Sequence, residues 1–242
     1  MTAPVVVFLG PTLSNDEARD VLDAEYRPPA AHGDVFRAAL RRPRAIGLVD
    51  GVFERVPAVW HKEVLFALSE GVRVYGAASM GALRAAELDA FGMRGVGDVY
   101  RAYADGVLED DDEVAVLHGP AELGYPAVTE AMVNIRATLA AAVDAGVIAT
   151  ESAGRLTATA KALFYKDRTW AAIRSRAHRA GLEAAPLHAL QQWLPAGAID
   201  RKRRDAIALL DAVRAHLAAG VTSLTVQFQF AETAAWRAAR EP

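Results

Sequence analysis

Ser79 lies within residues 71–87, G-V-R-V-Y-G-A-A-S-M-G-A-L-R-A-A-E, where a β-prone run gives way to a helix-prone one through small residues. A strand that turns abruptly into a helix needs such residues, and it projects the side chain at the apex of the turn. Ser79 holds that apex. The first N–H groups of the following helix, those of Met80 and Gly81, lack partners within it and would face an anion or a developing oxyanion. A serine there is equally suited to cap the helix with its own hydroxyl. A-x-S-x-G also lacks the first glycine of the G-x-S-x-G elbow, so the surroundings must decide.

A nucleophilic serine needs a base. His118 follows Ser79 with Asp110, Asp111 and Asp112 between them, the Ser–acid–His order of an α/β-hydrolase, but the spacing is too compressed for that fold. The acidic run 109–113 reads more simply as a solvated loop, and as a magnesium site it has no supporting partner in the sequence. Lys62 is the stronger candidate. It lies near the positive end of a helix entered at Pro57, among Trp60, Val64, Leu65 and Phe66, an environment expected to favour a neutral amine. Arginine cannot be tuned this way. The 27 basic residues include only four lysines (Lys62, Lys161, Lys166, Lys202), which makes a lysine here informative. The competing reading pairs Lys62 with Glu63 or Glu70 on the surface, and His61 reads as a core-edge histidine.

For an oxyanion, the Met80 N–H is the first donor, with Gly81 beside it and a second donor from Thr12 or Gly51 on neighbouring strand ends; Pro11 has no N–H to give. Asp50, Arg84, Glu87 and His118 are candidate substrate-binding groups. Arg84 and Glu87 are also spaced to pair with each other across one helical turn.

The elements that must position these residues alternate. Strands are expected at 5–9, 45–49, 72–75 and 114–117. Helices are expected from Ser14, whose S-x-x-E is a capping box, and at 35–42, 57–71, 83–92 and 95–105. Such alternation predicts an α/β fold with a parallel Rossmann-like sheet flanked by helices. Ligands gather beyond the carboxyl ends of the strands in these sheets. The turns at 10–12, 50–51, 76–81 and 118–120 all fall there. A mostly helical C-terminal region follows, with helices expected at 129–145, 157–165, 169–180 and 201–219, and an alternating strand at 222–230. Residues 1–126 are read as the core carrying the site, and 127–242 as a helical layer of the same compact fold.

The chain has 242 residues, and its 52% hydrophobic content is inflated by alanine. A net charge of −3 gives no bulk drive toward nucleic acid or membrane. The absence of cysteine excludes disulfides, thiolate metal sites and a cysteine nucleophile. No run approaches the ~20 apolar residues that cross a bilayer, and the start has no basic segment of a signal peptide. A cytoplasmic protein without metal or cofactor is the expectation.

Several long motifs occur in one order: G-P-T-L-S at 10–14, I-G-L-V-D-G-V-F-E at 46–54, V-W-H-K-E at 59–63, Y-G-A-A-S-M-G-A-L-R-A-A-E-L at 75–88, F-G-M at 91–93 and H-G-P at 118–120. Together they resemble the TfuA family over roughly residues 5–140. The resemblance implies a partner of YcaO enzymes in peptide backbone thioamidation, acting on the C-terminal thiocarboxylate of a ThiS-like sulfur carrier protein to release sulfide and helping to engage the peptide or protein substrate. It also implies a Ser–Lys catalytic pair, which falls on Ser79 and Lys62. The alternative is a non-catalytic adaptor that docks carrier and substrate on YcaO, using Arg168, Arg174, Arg176, Arg179 and the cluster Arg201-Lys202-Arg203-Arg204. A nucleotide pocket at the strand-end glycines lacks both G-x-G-x-x-G and Walker spacing.

Overall fold

The structure, a computed structural model, describes residues 4–54, 56–220 and 224–238. Contacts divide the described chain into one unit within Met1–Glu109 and Arg203–Pro242 and a second within Asp110–Lys202.

The first unit is built on five parallel strands: β1 (Val5–Phe8), β2 (Glu25–Arg27), β3 (Ala45–Leu48), β4 (Arg73–Ala77) and β5 (Arg94–Val96). Their order is β2-β1-β3-β4-β5. Helices α1 (Asn15–Val21), α2 (Asp34–Ala39), α3 (His61–Ser69) and α4 (Met80–Leu88) make the crossovers, and α5 (Gly97–Ala104) follows β5. The direction of winding reverses between β1 and β3, and a crevice opens at such a reversal.

Strands covered on both faces read as unbroken apolar runs. On one face Val6, Phe8, Ile46, Leu48 and Val74 pack with Val35, Ala38, Val64, Leu68, Ala85 and Leu88. On the other, Val5, Val7, Val49 and Tyr75 meet Ala18 and Leu22 together with Ala206, Leu209, Leu210 and Val213. The last four belong to α10 (Arg201–Ala218), so a late helix closes the early sheet. Its two leucines and valine are fully buried, worth at most about 2 kcal/mol each by area.

Two expected strands are not formed among the described residues. Residues 114–117 form no strand; Val114 follows a 3-10 turn, and Leu117 is tied to Thr129, its N–H donating to Oγ1 at 2.8 Å. The strand after β4 is instead β5, only three residues long, with the Tyr100 ring lying where a side chain on Gly95 would sit. The strand expected at 222–230 begins outside the described residues, and 224–230 pairs with no strand among those described. Its alternation is nevertheless physical: Leu224, Val226 and Phe228 pack against the core. Trp236, in α11 (Ala234–Ala238), is 2% exposed and lies against Phe36, Phe66 and Trp60.

The second unit is helical: α6 (Met132–Asp144), α7 (Thr150–Lys161), α8 (Trp170–Arg179) and α9 (Ala184–Gly197). Met132, Ile135, Leu139, Leu156, Ile173 and Leu190 form its core. The α/β fold with a parallel sheet and a helical C-terminal region is as the sequence predicts. No helix among the described residues is long and apolar enough to cross a membrane.

Candidate functional site

Strand register sets the site. Phe8 pairs with Leu48, and Leu48 with Gly76, so three strands end side by side. Three residues further along each strand stand Pro11, Gly51 and Ser79.

Two glycines let α4 begin directly on the strand ends. A Cβ on Gly81 would lie 1.7 Å from Leu48 O, and one on Gly76 would lie 2.1 Å from Gly81 O. Neither tolerates a side chain. The turn between them holds Ala78 at φ +65°, a left-handed conformation costing a non-glycine residue about 1 kcal/mol. Ser79 follows at φ −126°, ψ −127°, with its N–H donating to Ala77 O at 2.7 Å. It immediately precedes α4, yet its side chain makes no capping hydrogen bond. Ser79 is 4% exposed. The capping explanation for this serine therefore does not hold, and its hydroxyl is left for another partner.

The four expected N–H donors separate into two pairs. The Gly81 N–H donates to Val49 O at 3.2 Å. The Thr12 N–H donates to Asp50 Oδ2 at 3.1 Å. Both are spent on the fold. Among the described residues, no backbone or side-chain acceptor takes the N–H of Met80 or of Gly51. These two residues are neighbours, since a Cβ on Gly51 would lie 2.7 Å from Met80 Cγ.

Asp50, considered above for substrate binding, is 1% exposed and turned into the fold. It accepts from the Gly10 N–H (2.9 Å), the Thr12 N–H and the Thr12 hydroxyl (2.6 Å). Arg84 and Glu87 pair with each other at 2.6 Å. Arg84 also donates to Val59 O, and Glu87 Oε2 lies 2.8 Å from His61 Nε2. This carboxylate thus links the start of α3 to the last turn of α4.

Lys62 occupies the first turn of α3, which starts at His61 rather than at Pro57. The later start follows from Glu63. Buried at 1% exposure, it accepts from the N–H groups of Trp60, Gly33 and Phe36 at 3.1, 2.8 and 3.2 Å. Sequence reasoning assigned Glu63 only a surface pairing; the signal was its third position in the helix, where a carboxylate reaches back to the entering backbone. Lys62 Nζ donates to Thr233 Oγ1 at 3.2 Å and lies 5.4 Å from the Phe230 ring centre. No hydrogen bond joins it to Ser79 among the described residues.

His118 belongs to the second unit, where Nδ1 lies 2.8 Å from Gly119 O and the ring packs on Tyr125. The acidic run 109–113 is solvated only in part: Glu109, Asp110 and Asp111 are exposed, whereas Asp112 is half-buried and Glu113 is buried. Lys161 pairs with Asp110, Asp112 and Glu113, Arg136 is bidentate on Glu113, and Arg168 donates to Asp112. Burial pushes the Asp112 and Glu113 carboxyls up, but these cations outweigh it and hold both below the usual carboxylate range. Burial works against the Lys161 charge, and its carboxylate partners outweigh that too, so its pKa is raised. Arg168 is fully buried and also donates to Ala160 O and Leu163 O; Lys202 is 3% exposed and donates to Val114 O. Neither is available for docking. Among the described residues no group of three or more His, Asp or Glu side chains is arranged to hold a metal ion.

In comparison with known families, a family model described as TfuA-like protein matches residues 50–169. The matched segment starts at Asp50 and contains Gly51, Lys62, Ser79 and Met80. No curated protein matches the chain.

Proposed function

The chain belongs to the TfuA-like family, and from that premise we propose that it releases sulfide from a thiocarboxylated sulfur carrier for a YcaO-type enzyme. Family membership supports the coarser part of this reading, a role in YcaO-associated thioamide biosynthesis. The finer part rests on one observation: an uncapped Ser79 hydroxyl at a strand-to-helix turn, at the carboxyl ends of the strands, where the N–H groups of the neighbouring residues Met80 and Gly51 have no partner among the described residues.

In this reaction the Ser79 Oγ attacks the thiocarboxylate carbon and passes its proton to a base. The N–H groups of Met80 and Gly51 stabilise the negative charge on oxygen in the tetrahedral intermediate. The C–S bond then breaks, sulfur leaves with the electron pair and takes up a proton, and Ser79 is left acylated. Water hydrolyses the acyl-serine. The sum is thiocarboxylate plus water giving carboxylate plus hydrogen sulfide. A thiocarboxylate is itself anionic and a poor electrophile, so unpaired N–H groups and the positive end of α4 matter here more than for an ester. Lys62 is the base in this proposal. Its amine sits on Thr233 in the free chain, so pairing with Ser79 requires the side chain to leave that partner. The test is sulfide release from a thiocarboxylated ThiS-like carrier by the Ser79→Ala variant, which is expected to be lost.

The position of Lys62 also favours a second reading, an adaptor that holds carrier and peptide on YcaO without cleaving anything. Supplying YcaO with excess sulfide separates the two. A hydrolase becomes largely dispensable, whereas an adaptor stays necessary.

A further inference from the structure

We infer that Asp50 and Thr12 are positioning residues that hold the Gly51 N–H toward the space beside Ser79; this rests on the hydrolase reading above. The three residues at the end of β3 each do something different. Val49 O takes the Gly81 N–H and so anchors the start of α4. The Asp50 carboxylate takes the Gly10 and Thr12 N–H groups and so anchors the loop after β1. Among the described residues Gly51 keeps its N–H free and lies against Met80, the other free donor. Rotation of the peptide between Asp50 and Gly51 would swing the free N–H away. That rotation is opposed on one side by the Asp50 hydrogen bonds. On the other it is opposed by a short parallel pairing, in which Ala30 N donates to Asp50 O and Val52 N to Ala30 O, both at 2.9 Å.

Burying a carboxylate is costly unless its oxygens are satisfied. No cation pairs with Asp50 among the described residues; a hydroxyl and two N–H groups do the work. The Thr12 hydroxyl, at 2.6 Å from Oδ1, fixes the carboxylate rotamer while Oδ2 serves both loop N–H groups. An asparagine would offer one acceptor and one NH₂, and so could not replace both oxygens. The chain uses a buried anion here because two loop donors and one hydroxyl converge on one point, directly before the residue whose N–H must stay unpaired.

The test uses the full chain with the Thr12→Val variant, which keeps the shape and loses the hydroxyl, beside Thr12→Ser, which keeps the hydroxyl. Two readouts are taken: kcat and KM for sulfide release from a thiocarboxylated ThiS-like carrier, and the ¹H–¹⁵N amide resonances of Gly51 and Met80. Thr12→Val should lower kcat by about 10- to 100-fold, the loss expected for a misdirected catalytic group, with KM changed less than about threefold. Its Gly51 resonance should move, and Thr12→Ser should recover both readouts to within about threefold of the parent rate. A folded Thr12→Val with parent kcat and an unmoved Gly51 resonance overturns the inference, even if its melting temperature falls. So does an equal loss in Thr12→Ser. If Ser79→Ala still releases sulfide, the hydrolase reading has failed, and the amide resonances alone then decide whether Thr12 positions Gly51. Should Thr12→Val not fold, Thr12→Ala is read in its place by the same criteria.

Discussion

Among the described residues the Ser79 hydroxyl makes no capping hydrogen bond, and the N–H groups of Ser79 and Gly81 are satisfied without it. The Ser79 N–H turns back to Ala77 O, and the second N–H of α4 goes to Val49 O instead of to a cap. That arrangement exists only because positions 76 and 81 carry no Cβ. Gly81→Ala would press a methyl against the backbone of Leu48, and Gly76→Ala would press one against Gly81 O. Each should cost roughly 3 kcal/mol, the upper end for overpacking, read as a fall in the urea midpoint at unchanged slope. Gly51→Ala is different, since its methyl meets the Met80 side chain. It should fold with a smaller loss and show reduced sulfide release.

Elements explain which parts could be read in advance. The strands at 5–9, 45–49 and 72–75 are apolar runs bounded by turn residues, and they were legible. So was the Ser79 turn, from its small residues alone. The three-residue strands β2 and β5 carry too few residues to establish a period, and β5 contains a glycine. Residues 114–117 look like a strand by composition, but their apolar side chains serve a loop braced by Thr129. The partners of Asp50 and Glu63 were not legible, because each carboxylate is matched by backbone N–H groups, and those leave no signature in side-chain sequence. In the helical unit the acidic run looked solvated since its cations, Arg136, Lys161 and Arg168, lie 23 to 56 residues away. Arg168→Met should destabilise by about 3 kcal/mol or more, because the Asp112 carboxylate and three carbonyls lose their donor. The pH dependence has a definite sign. Asp112 and Glu113 titrate below their unfolded values, so their stabilisation is present at neutral pH and is lost as pH falls through the lowered folded values. Denaturation from pH 7 down to acid should show this loss, with a shallower slope in Glu113→Gln.

At the scale of the whole molecule, the late part of the chain completes the early part. Helix α10 supplies one face of the sheet's core, and residues 224–238 cover α2 and α3 on the other, with Trp236 among Phe36, Trp60 and Phe66. Trp236→Ala should cost about 3–5 kcal/mol and loosen the packing of the segment that carries Thr233, the partner of Lys62. The family match over residues 50–169 covers Asp50, Gly51, Lys62, Ser79 and Met80, but neither Thr12 nor the segment that Lys62 touches. The central claim is that Ser79 is a nucleophile and not a bystander in an anion-binding turn. The most direct measurement is sulfide release from a thiocarboxylated ThiS-like carrier by the parent chain and by Ser79→Ala, each shown to be folded. Loss of about a thousandfold or more is predicted for the variant; release at near the parent rate would contradict the account.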